Sequence, residues 1–157
     1  DLHRLIRRQR QMCIRDRLLT YGHATEDESK VLKAILNLLP RDLAKRVNTV
    51  KQIVKGHYGN LITIYRIVLR GRDSIAFLEY LATRLSDTEK NILKLSFPLR
   101  YDGHAKKLYL RFDKQQLFLG KIVLSDGDDV VKVVISFSGR GSRGDVLEIL
   151  RKYGVVK

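Results

Sequence analysis

Lys106-Lys107-Leu108-Tyr109-Leu110-Arg111-Phe112-Asp113-Lys114-Gln115 is the stretch on which the fold of this chain turns. Leu108, Leu110 and Phe112 alternate with Lys107, Tyr109, Arg111 and Asp113. Successive side chains of a strand point to opposite faces, so a period of two predicts a strand with one face on a core and one toward water or a ligand. Two further β-rich runs, at 47–55 and 60–70, flank Gly56-His57-Tyr58-Gly59-Asn60. Glycines in that position supply turn conformations that a Cβ resists, and a hairpin is the simplest reading. Residues 18–22 are expected to form part of a first strand, and 117–125 and 130–138 two more around the turn Ser125-Asp126-Gly127-Asp128.

Between these strands the spacing becomes helical. Thr25 with Glu28 reads as a capping box opening a helix that carries Val31, Leu32, Ile35, Leu38 and Leu39 and stops at Pro40. Asp73 or Ser74 is expected to cap a second helix with Ile75, Leu78, Leu81, Ala82 and Leu85. Ser86 with Glu89 opens a third, limited by Pro98, and Val146, Leu147, Ile149, Leu150 and Tyr153 mark a last helix before Gly154. Helices clustered between hairpin-connected strands predict an α+β fold: a two-layer sandwich, mainly antiparallel sheet with helices on one face, leaving the other face partly open.

With 157 residues and 44% hydrophobic content, the chain is sized for one globular domain. Its formal charge of +14 points to a polyanionic partner such as nucleic acid, or to an acidic membrane surface. No run of eighteen apolar residues is present, so no membrane association is expected and the default address is cytoplasmic. Cys13 is the single cysteine, which offers neither a disulfide nor a metal-ligand pair. The most basic segment, Arg7-Arg8-Gln9-Arg10-Gln11-Met12-Cys13-Ile14-Arg15-Asp16-Arg17, resembles sequencing-library adapter DNA read as protein. Residues 1–17 are therefore expected to be a non-native, disordered extension that packs on nothing. The genuine chain would be a single domain over 18–157, truncated at its N-terminus. Six of the 31 basic and two of the 17 acidic residues lie in that extension, and the remainder carries +10.

On the open face of the expected sheet, the polar phases bring Lys51, Lys55, Tyr109, Arg111 and Lys132. Cations neutralise phosphates and an aromatic ring stacks an unpaired base, which is the composition of an RNA platform; a merely solvated basic face reads the same way. His57 and Tyr58, with Asn60 beside them, project from the glycine-flanked turn, where a plain hairpin connection is the competing reading. Arg140 and Arg143 sit in the glycine-rich entry to the last helix, whose amides would suit a phosphate; a flexible loop explains them equally. No catalytic residue, metal site or cofactor is assigned. The histidines His23, His57 and His104 lack local metal spacing, and Glu26, Asp27 and Glu28 suit a helix N-terminus, so a magnesium nuclease using them with Asp113 is the weaker alternative.

Three motifs, His23-Ala24-Thr25-Glu26-Asp27, Gly56-His57-Tyr58-Gly59-Asn60 and Leu110-Arg111-Phe112-Asp113-Lys114-Gln115 followed by Gly120, occur in an order that resembles the archaeal RNA-binding proteins described as predicted exosome subunits. The resemblance spans 18–157. It implies a fold like that of the large-subunit ribosomal protein that contacts 5S ribosomal RNA, and RNA binding without catalysis. It marks His23, Thr25, Glu26, Asp27, Gly56, Gly59 and Asp113 as motif residues, and Lys114 and Gln115 as part of an RNA-contacting loop. Leu61, where the family usually has proline, and Gln116, where a small residue is common, depart from the pattern. The expected partner is RNA, with exosome or ribosome-assembly proteins; the alternative is a protein-interaction subunit whose basic face meets an acidic partner.

Overall fold

Six strands and six helices make up the described part of the chain, residues 13–139 and 143–157 of a computed structural model. In chain order these are β1 (Cys13–His23), α1 (Glu28–Leu36), α2 (Arg41–Arg46), β2 (Val50–Lys55), β3 (Leu61–Arg70), α3 (Arg72–Arg84), α4 (Asp87–Arg100), β4 (Tyr101–Asp102), β5 (Lys107–Asp113), α5 (Lys114–Phe118), β6 (Val130–Ser138) and α6 (Arg143–Lys152). The strands form one sheet in the order β2-β3-β1-β6-β5-β4, with β2–β3 and β4–β5 antiparallel. The fold is α+β, as the helices clustered between strands in the sequence predict.

Each long strand buries one phase of its side chains. Leu108, Leu110 and Phe112 are buried in β5, Val131, Val133, Ile135 and Phe137 in β6, and Tyr65, Ile67 and Leu69 in β3. Apart from Val130 at the start of β6, the opposite phase stays half-exposed or exposed, the pattern of a sheet with one covered face. Two compact units divide the chain, with boundaries inside β1, β3, β5 and β6. The first, Arg17–Val68 with Leu110–Val133, has a core of Leu18, Val31, Ala34, Ile35, Phe112 and Leu117, and α1 packs on α5. The second, Leu69–Tyr109 with Val134–Lys157 and the described residues up to Asp16, is centred on Phe77, Leu78, Leu81, Phe97, Ile149 and Leu150.

Local chemistry explains where the elements depart from expectation. Asp27, not Thr25, caps α1, accepting from the Ser29 amide at 3.0 Å. Gly71, at φ 59°, occupies the cap of α3 instead of Asp73 or Ser74. The Ser86 cap is as expected, its hydroxyl accepting from the Glu89 amide at 3.1 Å, but α4 runs through Pro98 to Arg100. Pro98 costs one backbone donor there, while α4 is anchored by buried Leu93 and Phe97. Residues 117–125 are not a strand. Asp113 caps α5 through the Gln116 amide at 2.9 Å, and Gly120, at φ 86°, ends it with the paired bonds Gly120 N–H to Leu117 O and Lys121 N–H to Gln116 O. Only Phe112 and Leu124 retain a bridge.

β1 begins at Cys13, which corrects the expectation that residues 1–17 pack on nothing: 13–17 are strand, while 1–12 lie outside the described residues. The consequence falls on Asp16, fully buried on the same phase as Leu18. Neither carboxylate oxygen has a hydrogen-bond partner; the Ser74 hydroxyl lies near enough to favour the ionised form, but without hydrogen-bond geometry. Burial pushes the Asp16 carboxyl up to about 8. A raised carboxyl means that the folded state holds its proton, so stability is greatest below the ordinary value of 3.8 and falls as pH rises toward about 8. Asp16→Asn should therefore stabilise the chain by about 4 kcal/mol at pH 7 and much less near pH 4. Urea unfolding at both pH values checks this, and an unchanged gap between them would contradict it.

Candidate nucleic-acid interface

Lys114 stands at the centre of the first unit with only 4% of its side chain exposed. Its ammonium donates to the Tyr21 carbonyl at 2.9 Å and to Glu26 at 3.0 Å, and meets Asp129 Oδ1 at 2.8 Å. A lysine has three protons and here three acceptor groups, so the geometry saturates it. Gln115 Nε2 donates to the other oxygen of Asp129 at 2.9 Å, and the Lys114 and Gln115 hydrogen bonds outweigh partial burial to hold the Asp129 carboxyl below its ordinary range. Glu26 also closes its own turn: its carboxylate accepts from the His23 amide at 3.2 Å, and its amide donates to the His23 carbonyl at 2.9 Å. Two motifs some 88 residues apart in sequence thus meet at one ammonium.

The outward phase of the sheet in this unit carries Tyr21 on β1, Arg66 on β3, Arg111 on β5 and Lys132 on β6. Lys132 Nζ lies 5.6 Å from the centre of the Tyr21 ring, a cation–π distance. Arg66 donates to Gln52 at 3.3 Å across the hairpin, and Arg111 Nη2 to the Gly127 carbonyl at 2.6 Å. Aromatic face and cations on one sheet surface are the ingredients for stacking a base while neutralising its phosphate.

The β2–β3 hairpin turns at Gly56–Gly59, where the Gly59 amide donates to the Gly56 carbonyl at 3.0 Å. Gly59 has φ 83°, and a Cβ on Gly56 would meet the Asn60 carbonyl at 3.1 Å, so both glycines are required by the turn itself. Tyr58 is 92% exposed at the tip, with the His57 ring edge-on at 5.1 Å. Glycine-enforced sharpness is what presents these two rings.

Several expected site residues change role. Lys114 is buried and saturated, a pin between segments and not a phosphate ligand. Lys51 lies opposite buried Tyr65 and pairs with Glu28 of α1, and Lys55 shares its phase, so neither belongs with the outward group. Gln115 and Asp113 are held by Asp129 and by the cap of α5. Asn60 contributes its backbone carbonyl to the turn, Thr25 is exposed, and Tyr109 faces outward from the part of β5 in the second unit. Arg140 and the side chain of Arg143 lie outside the described residues. Tyr21 and Arg66 were missed; alternation of buried Leu18, Thr20 and Gly22 with Leu19 and Tyr21 was the available signal. Among the described residues no three or more His, Cys, Asp or Glu side chains are grouped to hold a metal ion, and no helix is long and apolar enough to cross a membrane.

A family model described as RNA binding matches residues 17–137. The chain belongs to this RNA-binding family. Among its relatives, the RNA-binding protein PAB1135 of Pyrococcus abyssi is 34% identical over 121 residues, covering 76% of this chain and 78% of that protein. The uncharacterized protein MJ0213 of Methanocaldococcus jannaschii is 34% identical over 116 residues, 73% of this chain and 78% of its own. The crystal structure of protein AF2318 from Archaeoglobus fulgidus is similar at a TM-score of 0.74 and 29% identity, covering 90% of this chain and 99% of that one.

For this family member, Lys114→Met should cost roughly 2–3 kcal/mol, less than the ~3–5 of a fully enclosed pair because Asp129 is half open. Asp129 has a depressed carboxyl pKa, so its share of stability is present above the ordinary 3.8 and is lost as pH falls through the depressed value. Thermal unfolding between pH 7 and pH 3 should show that acid-side loss in the parent chain and a smaller one in Lys114→Met.

Proposed function

We propose that this chain is a noncatalytic RNA-binding protein that uses the outward sheet phase of its first unit, with the Tyr58 hairpin tip as a second contact. The observation that carries this reading is the Tyr21–Lys132 cation–π pair, on the same sheet phase as Arg66 and Arg111. Membership of an RNA-binding family supports it, as does the naming of its Pyrococcus relative as an RNA-binding protein. The setting we propose, on the family resemblance alone, is an archaeal exosome or ribosomal RNA maturation. One observation favours a second reading, docking of a protein partner: Val50, Ile53 and Leu61 are exposed along the hairpin.

Replacing Tyr21, Tyr58, Arg66 and Lys132 together by alanine should weaken binding to a single-stranded RNA by about tenfold or more, since each base–aromatic stack is worth about 1–3 kcal/mol. The slope of log K against log salt should flatten by about 1.4, the share of two cations on a single strand. Filter binding across a salt series measures both quantities. Unchanged affinity in a folded quadruple variant would remove this surface from consideration, and association with a protein that persists after nuclease treatment would favour the second reading.

A further inference from the structure

From Ile53 to Thr63 no residue is buried, although the pairs Ile53–Thr63, Val54–Ile62 and Lys55–Leu61 carry the β2–β3 ladder to its turn. The end of this hairpin is a two-stranded ribbon standing clear of the core of the first unit. The turn holds its shape without that core: the Gly56 amide donates to the Asn60 carbonyl at 2.6 Å, and a Cβ on Gly56 would also meet Ile62 Cδ1 at 3.2 Å. Tyr58 stands at the apex, exposed, and the His57 ring meets it edge-on. An edge-to-face contact of this kind fixes a ring that nothing else packs against.

The charge of the ribbon has one sign. No Asp or Glu lies between Asp42 and Asp73, while Lys45, Arg46, Lys51, Lys55 and Arg66 fall in that stretch of the first unit. Lys51 is paired with Glu28, whereas Lys55 is exposed and has no ion pair among the described residues. Its side chain runs beside the turn, since a Cβ on Gly59 would lie 3.9 Å from Lys55 Cε. A ring and a free cation thus share the tip.

The cost of offering a base to a single ring decides which form of RNA suits it. An unpaired nucleotide has to be ordered before one stack can hold it, and that ordering opposes binding. Inside a duplex every base face is already stacked, the A-form major groove is too deep and narrow for side chains, and separating a step costs about what one aromatic stack returns. At the open end of a duplex neither cost arises. The terminal base pair is held by its own pairing and by the step beneath it, and its outer face is bare.

We propose that the hairpin tip caps the open end of an RNA duplex, with Tyr58 stacked on the terminal base pair, His57 steadying the Tyr58 ring, and Lys55 on a phosphate at the strand end. The proposal rests on the reading that the chain binds RNA with Tyr58 as a second contact, and it names the RNA feature that this contact takes. A ring stacks on any base pair, so the tip selects an end and not a sequence.

The test uses the full chain and two fluorescein-labelled RNAs with the same stem, one a blunt duplex and the other a dumbbell whose ends are closed by compact, internally stacked loops. Fluorescence anisotropy should show about tenfold tighter binding to the blunt duplex, within the range of one base–aromatic stack. A 2-aminopurine in the terminal pair should change its emission on binding, and one at the centre of the stem should not. Tyr58→Ala should bring the two RNAs within about twofold of each other, while Tyr58→Phe keeps the preference, because the ring and not the hydroxyl makes the stack. Tyr58 is exposed, so neither substitution disturbs the core. Equal affinity for blunt duplex and dumbbell, with a silent terminal 2-aminopurine, would overturn end capping and leave the RNA-binding reading standing. Tighter binding to oligouridylate than to the blunt duplex would also overturn it, assigning the tip to unpaired bases. An end preference that survives in Tyr58→Ala would place the contact elsewhere and overturn the proposal, and failure to bind any of these RNAs would overturn both readings.

Discussion

The ammonium group of Lys114 is the point on which the first unit hangs. Withdrawing a charge from water costs several kcal/mol, and the cost is offset only where every proton finds an oxygen. Here the oxygens come from three separate places: the end of β1 (Tyr21), the turn into α1 (Glu26) and the approach to β6 (Asp129). A planar guanidinium would not serve the same three directions, because its donors lie in one plane while those of an ammonium spread tetrahedrally. The end of one strand, the start of a helix and the entry to another strand are thereby fixed relative to each other. Asn37 adds a second tie, donating to the Leu117 carbonyl at 2.7 Å where α1 ends beside α5.

This internal pairing shapes the electrostatics of the surface. Glu26 and Asp129 spend their charge on Lys114, and Glu28 on Lys51, whose hydrogen bond and charge lower the Glu28 carboxyl. These three acidic groups are drawn to lysines, while Arg66, Arg111 and Lys132 stand on the outward phase of the sheet.

The parts of this architecture legible in the sequence are those set by local periodicity. Leu108, Leu110 and Phe112 spelled a half-buried strand, and Ser86 with Glu89 spelled a helix start, because each signal is complete within a few residues. Thr25 offered an equally good capping pattern, yet Asp27 took the role, since Glu26 is drawn toward Lys114 and the helix starts after it. Leu117, Phe118 and Leu119 form an apolar run that is ambiguous between strand and helix; Asp113 before it and Gly120 after it decide for a short helix. Lysine is almost never buried unless paired, so Lys114 reads as a surface residue until its partners, two of them some 90 positions away, are known. The candidate site was legible as motifs, and not as the meeting of two of them. Asp16 was missed for the opposite reason: its segment was set aside, and the strand extends into it.

The two ends of the sheet differ in how they are finished. β4, at one end, is two residues long, too short to template a further strand. β2, at the other end, is six residues long and mostly exposed, but carries Lys51 and Lys55. Charged side chains on an edge oppose pairing with the edge of another molecule. An RNA strand that gathers many copies of this protein raises their local concentration, the condition under which open edges join into insoluble fibres. A truncated margin at one side and a lysine-bearing margin at the other allow crowding on a polymer without that outcome.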